Sequence, residues 1–167
     1  MAVAGDRRRR ARPAHRATRR LPRGVHTDTR LKNIPIPEAS LAGIAAGFAL
    51  EQVHPWQVRS RPAGWSLVAA GAFVIASSLR AARTTDLTSP ERLVTSGPYA
   101  LSRNPMYVGW SLIHLGIGLA AGSGWVVGTV PLAGVLIHRD VLGEERRLEE
   151  KFEDAYRYYR DTVRRYL

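Results

Sequence analysis

The residues with the widest chemical range sit in two short stretches. The first runs from Leu93 to Gly109 and reads LVTSGPYALSRNPMYVG. Ser96-Gly97-Pro98 cannot continue a helix, because Gly permits unusual φ and Pro restricts both itself and the residue before it. Asn104-Pro105 repeats the interruption seven residues later. The second stretch is the acidic pair Glu144-Glu145, just beyond the last apolar block. Together the two offer carboxylates, an Arg, an Asn, tyrosines and open backbone groups. That mixture suits a soluble ligand carrying both a cation and a carboxylate. A plain interhelical loop is the alternative reading of the first stretch.

Other chemistries find no foothold. The chain has no cysteine, which excludes disulfides, thiolate metal sites and cysteine nucleophiles. His15, His26, His54, His114 and His138 are scattered over different segments, so no metal-ligand spacing emerges. A nucleophile elbow, a phosphate-binding loop and a dinucleotide fingerprint are likewise missing.

The elements that must position the two stretches are apolar. From Met106 to His138 no residue carries a formal charge, and Ala121-Gly122-Ser123-Gly124-Trp125 divides this run near its middle. Continuous apolar sequence without an amphipathic period points to burial on all sides, as in a bilayer. We expect spans near 106–121 and 124–138, with Pro131 kinking the second. Upstream, apolar stretches near 36–56 and 63–80 are two further spans, rich in the small residues that pack helices in lipid. Ser89-Pro90-Glu91 predicts a short helical turn leading into Leu93. After Arg139, the residues Leu148, Phe152, Tyr156, Tyr159, Val163 and Tyr166 recur at spacings of three and four. They form one face of a helix expected over 141–166, an interfacial or docking element rather than a span. The expected fold is therefore an all-α polytopic membrane protein of about four transmembrane helices with a cytosolic C-terminal amphipathic helix.

Charge sets the orientation. Of the formal net charge of +11, residues 1–33 contribute +9, residues 34–137 contribute +2, and residues 138–167 sum to zero. The Arg-rich 1–33 segment has no apolar run, so it reads as a disordered arm meeting anionic lipid headgroups. It lacks aromatics for base stacking, and no nucleic-acid partner is expected. The arm, the connector bearing Arg80, Arg83, Arg92 and Arg103, and the charge-balanced tail with its eight basic residues all fall on one side of a four-span layout. The positive-inside rule puts that side, with both termini, in the cytoplasm. Both chemistry-bearing stretches then share the cytosolic face.

LVTSGPYALSRNPMYVGW followed by EERRLEEKFEDAYRYYRDTVRR resembles the isoprenylcysteine carboxyl methyltransferase and phospholipid methyltransferase superfamily. These are integral membrane enzymes that use S-adenosylmethionine. The resemblance makes residues 34–167 the membrane methyltransferase domain. It implies that Leu93, Val94 and Tyr99 line the cofactor pocket, and that Pro105, Met106 and Tyr107 lie against the cofactor. Asn104 stands at the family's His position. Glu144 would hold a polar group of the cofactor, with Glu145 beside it. Tyr156, Tyr159 and Arg164 would form a lid from the tail. Arg139 lies near the family's substrate-orienting Arg, one residue out of register. Glu153 replaces the Gly that follows Phe152 in the family pattern.

The sulfonium cofactor is already activated, so the protein's main task would be alignment of donor and acceptor. A carboxylate acceptor could be oriented by Arg139. An amine acceptor needs a group that takes its proton, for which Glu144 and Glu145 are available. The acceptor would be lipophilic and enter from the bilayer. Two rival readings remain: a membrane reductase with a nicotinamide cofactor, and a non-enzymatic membrane interaction protein with a lipid-binding basic arm.

Overall fold

The structure, a computed structural model, describes residues 37–58, 60–82, 85 and 90–167. The expected disordered arm lies outside the described residues. Four α-helices make up the fold: α1 (Glu38–Val53), α2 (Arg61–Ala82), α3 (Pro105–Ala121) and α4 (Gly124–Thr162). A 3₁₀ turn, Gly97–Ala100, precedes α3. Among the described residues there is no strand, only an isolated antiparallel bridge between Gln57 and Ser123. Helix α2 packs along α3, α3 along α4, and α4 along α1, which also touches α3.

The bundle is built inside out. The buried residues of α2 are Gly64, Gly71, Ser78 and Ala82, whereas its Trp65 and Phe73 are 66% and 70% exposed. Gly64 and Gly71 face Gly116 and Gly109 of α3 so closely that an added Cβ on Gly71 would stand 2.5 Å from the Gly109 carbonyl oxygen. Gly47 of α1 meets the Val126 backbone of α4 in the same way. Small residues inside and large apolar ones outside are the arrangement expected where lipid, not water, surrounds the helices. Helices α2 and α4 are long and apolar enough to cross a membrane; α3, of 17 residues, is apolar but shorter.

Polar groups within the bundle are tied together. His114 Nε2 lies 3.1 Å from Thr129 Oγ1, which donates to the Gly43 and Val126 carbonyls. The knot joins α1, α3 and α4.

The α3–α4 reversal follows from local sequence. Gly122 takes φ 77 and caps α3 through bonds to Gly118 and Leu119, and the Ser123 hydroxyl caps α4 by accepting from Val126 N. At this end Trp56 and Trp125 meet edge to face at 5.4 Å, and Trp125 Nε1 donates to the His54 carbonyl.

The apolar stretches near 36–56, 63–80 and 106–121 form helices α1, α2 and α3, and of these three α2 is long and apolar enough to cross a membrane. Three sequence expectations need correction. No separate tail helix begins at 141, because α4 runs unbroken through Arg139 and ends at Thr162. Nothing in that segment stops a helix, since charged residues extend one as readily as apolar residues do. The break falls at Glu153 (φ 45, ψ −118), while the backbone around Pro131 stays helical. Finally, Glu91 and Arg92 form a bend rather than a helical turn. The turn forms further on, at Gly97–Ala100, where Gly97 adopts φ 63 and Pro98 presets the next φ.

Candidate functional site

Helix α4 outruns its partners. Its apolar part, up to His138, packs in the bundle, and its charged continuation projects beyond the start of α3. There it meets the 93–104 loop. Glu153 then turns the chain, so that the segment after it folds back over the same loop. The Tyr159 hydroxyl donates to the Tyr99 carbonyl oxygen at 2.6 Å. Leu148, Phe152, Tyr156, Tyr159, Val163 and Tyr166 are all buried or half-buried, while Tyr158 on the other face is exposed.

Between loop, α3, α4 and tail lies a half-open cleft with about 60 Å³ of free volume. Leu93, Val94, Tyr99, Asn104, Pro105, Met106, Tyr107, Glu144, Tyr156 and Tyr159 line it. Ten residues singled out from the sequence thus meet at one place. Pro90, Arg92, Arg103 and Leu148 line it as well. Sequence reading counted Arg103 among the polar groups of the 93–109 stretch without a specific role, and gave Pro90, Arg92 and Leu148 no site role.

Three of the singled-out residues fall elsewhere. Arg139 and Arg164 are exposed and do not line the cavity. The tail arginine that turns inward is Arg165, whose Nη2 lies 2.9 Å from Glu145. Glu145 points away from the cavity and into a buried cluster. It receives Arg103 Nε at 3.1 Å, Asn104 Nδ2 at 3.1 Å and Arg165 Nε at 3.0 Å. Successive residues of an α-helix point about 100° apart, so one carboxylate of the pair faces the cavity and its neighbour faces the tail.

The two carboxyl groups are driven in opposite directions. Burial raises the pKa of Glu144; the hydrogen bond from Tyr107 Oη (3.2 Å) and the Arg147 charge only partly offset this. Burial also works to raise Glu145, but hydrogen bonds and charge from Arg165 and Arg103 outweigh it and hold that carboxyl below its ordinary value. Environments that separate neighbouring carboxyls assign them different tasks. Glu145 is thus held toward its ionised form by Arg165 and Arg103, while burial favours the protonated form of Glu144.

The other polar groups are fixed. Asn104 Nδ2 donates to Glu145 Oε1 and to the Arg165 carbonyl, which fixes the orientation of its amide, since a flip would set Oδ1 against two acceptors. Tyr156 is 1% exposed and its hydroxyl has no hydrogen-bond partner among the described residues. Burial, with the Glu145 charge adding to it, pushes its pKa up to about 12. Burial likewise raises Tyr99 and Tyr159. These phenols therefore remain protonated at neutral pH. A buried hydroxyl left unpaired beside a cavity is costly unless a ligand or water completes it.

Among the described residues the frame is all-helical, two of its helices are long and apolar enough to cross a membrane, and a tyrosine-lined cleft with Glu144 in its wall lies at one end of the bundle. The particular family follows from the sequence model for phospholipid methyltransferase, which matches residues 60–155, more than half of the chain. The chain belongs to the phospholipid methyltransferase family. The matched region covers α2, the 93–104 loop, α3 and α4 through the turn at Glu153. No individual curated protein and no solved structure matches the chain.

Proposed function

We propose that this protein transfers the methyl group of S-adenosylmethionine to a lipophilic acceptor at the cytosolic face of a membrane. The observation that carries this reading is the cleft itself, which has Glu144 and four tyrosines (Tyr99, Tyr107, Tyr156 and Tyr159) among its walls, in a chain of a methyltransferase family. The residues fit such a cofactor by type. A carboxylate complements a cation, and Leu93, Val94, Met106 and Pro105 offer apolar walls. When bound, S-adenosylmethionine supplies an already activated methyl group on a positive sulfur.

The chain's own contribution is then positioning and exclusion of water. Glu144 would hold a positive or N–H-bearing part of the cofactor, with Tyr107 fixing its carboxylate. Tyr156 and Tyr159 would cover the cavity from the tail side. For an acceptor that must lose a proton, Glu144 is the candidate base, because Glu145 is saturated with donors. Phospholipid amines, isoprenoid-linked carboxylates and small lipophilic molecules remain the candidate acceptor classes.

The membrane arrangement belongs to the same proposal. All four helices cross or enter the bilayer, both termini face the cytoplasm, and the part of α4 beyond Arg139 is the cytosolic tail. Exposed Leu41, Phe48 and Leu50 on α1 and Leu132 and Val135 on α4 support a lipid-facing exterior. Helices α1 and α3, at 16 and 17 residues, are short against the roughly 20 that a bilayer requires, so a locally thin membrane is part of the reading.

The test is calorimetry of the full chain in nanodiscs with S-adenosylmethionine, followed by incubation with a methyl-labelled donor and a total lipid extract. Binding, and label in the organic phase, are expected. Binding of a reduced nicotinamide dinucleotide instead would replace this proposal with a membrane reductase. Binding of neither would leave a non-enzymatic membrane protein.

A further inference from the structure

We infer that Glu145 is a positioning residue that latches the segment after Glu153, as a hinged cover, over the cavity. The inference deepens the proposed function, since it assigns how that same site is closed. The Glu145 side chain is only 9% exposed and bonds two guanidinium groups and one amide. A carboxylate has about four acceptor positions, so no capacity remains for a substrate proton.

Every partner of Glu145 is also tied to the tail. Arg103 Nη1 donates to the carbonyls of Arg160 and Val163 at 2.9 and 2.6 Å, and Arg103 N donates to the Arg164 carbonyl at 2.8 Å. The Arg160 and Val163 carbonyls lie at the end of α4, where helical partners run out. The Ser102 hydroxyl and Asn104 Nδ2 both donate to the Arg165 carbonyl. Arg165 itself is the third member of the ion cluster. Removing the carboxylate would leave the buried Arg103 guanidinium uncompensated, so the cluster would loosen as a unit.

The hinge is the non-helical residue at the other end of the cover. Glu153 interrupts α4 at φ 45 and is exposed, and the surface ion pairs of Glu149 with Arg157 and Arg160 are the contacts that span it. The inner face of the segment beyond it carries Tyr156 and Tyr159, which wall the cavity. Tyr166, bonded to His138 Nδ1 at 2.8 Å, is a second tie that does not involve Glu145. Opening at Glu153 uncovers the cavity from the water side without disturbing α1–α3.

The chain's lack of cysteine makes the test direct. Leu101 and Tyr158 are 75% and 74% exposed, one on the loop and the other on the outer face of the cover. Spin labels on Leu101→Cys and Tyr158→Cys, read by pulsed dipolar spectroscopy in nanodiscs, report the closure without any ligand. A single narrow distance is expected for the otherwise unaltered chain. Glu145→Gln should lengthen and broaden it, Glu145→Asp should restore most of it, and Glu144→Gln should leave it narrow. Glu145→Gln should also speed S-adenosylmethionine release about ten-fold, as loss of a buried charge partner acts chiefly on the off-rate. A narrow, unshifted distance in Glu145→Gln overturns the latch. If that variant does not fold, Arg165→Gln carries the same test, and an unshifted distance there overturns the latch equally. A narrow distance that Glu145→Gln releases, in a chain that binds no S-adenosylmethionine, supports the latch and refutes only the proposed cofactor.

Discussion

Replacing Glu144 by glutamine removes one charge from the cavity and little else. The side chain keeps its length, and the amide oxygen can still accept from Tyr107 Oη, which now lies 3.2 Å from the carboxylate. The Glu145 cluster has its own partners and should hold. What disappears is a charge-assisted bond to a cationic or N–H-bearing ligand, worth about 1.5–3 kcal/mol. At about 1.4 kcal/mol per factor of ten, the variant should bind S-adenosylmethionine roughly ten- to a hundred-fold more weakly. Protonation imitates the substitution. Because burial raises the Glu144 pKa, the parent chain should lose affinity as pH falls through a value above the ordinary carboxylate range, while the Glu144→Gln variant should show no such inflection. Calorimetry in nanodiscs between pH 5 and 8 reads both effects, and buffers of different ionisation enthalpy would reveal proton release when the ligand binds. An affinity for Glu144→Gln within about threefold of the parent, a change under 1 kcal/mol, refutes the assignment.

Further outcomes follow from the packing. Glu153→Gly should stabilise the chain by about 1 kcal/mol, since a non-Gly residue at φ 45 carries strain of about 1–3 kcal/mol that the entropy of glycine partly offsets; thermal unfolding in detergent that shows no gain would count against strain at the hinge. Gly71→Val places a side chain against the Gly109 carbonyl and Ile113, and should separate α2 from α3 and abolish the folded peak in size-exclusion chromatography. For Glu145 the sign is opposite to that of Glu144. Its folded pKa is depressed, so its contribution is complete above the unfolded value of about 4.3 and is lost as pH falls through the lower folded value. Amide protection factors in 154–167, with the intrinsic pH dependence of exchange divided out, should therefore be unchanged from pH 8 to 5 and fall only in stronger acid. Tyr159→Phe leaves the Tyr99 carbonyl without its donor and should cost about 1 kcal/mol, visible as a lower unfolding midpoint.

Much of this protein is written in its local sequence. Gly122 and Ser123 mark the turn between α3 and α4 because one residue tolerates positive φ and the other caps a helix. Gly97-Pro98 and Asn104-Pro105 mark the loop because each blocks a continuing helix. Apolar runs mark the helices because their length and lack of charge need no knowledge of partners. The family is legible too, since paired motifs at a fixed separation survive without coordinates, and ten residues chosen on that ground line one cavity.

Direction, partnership and strain are not local. Nothing in the pair Glu144-Glu145 reveals which carboxylate faces the cavity, because the helix rotation is set by how α4 packs against α1 and α3. Arg164 and Arg165 are indistinguishable by type, and only the docked tail turns the second toward Glu145. Arg103 looks like one more cytosolic charge until Glu145, Arg165 and the tail carbonyls converge on it from positions some 40 to 60 residues away. Glu153 reads as an ordinary solvated helical residue, yet the return of Tyr156 and Tyr159 to the loop requires the chain to turn there. The helices and the loop are legible because they depend on short-range sterics and apolar length, and the family because its motifs are contiguous in the chain. Tertiary structure decided which charge is held and which is free, because burial and pairing exist only once the tail has folded back.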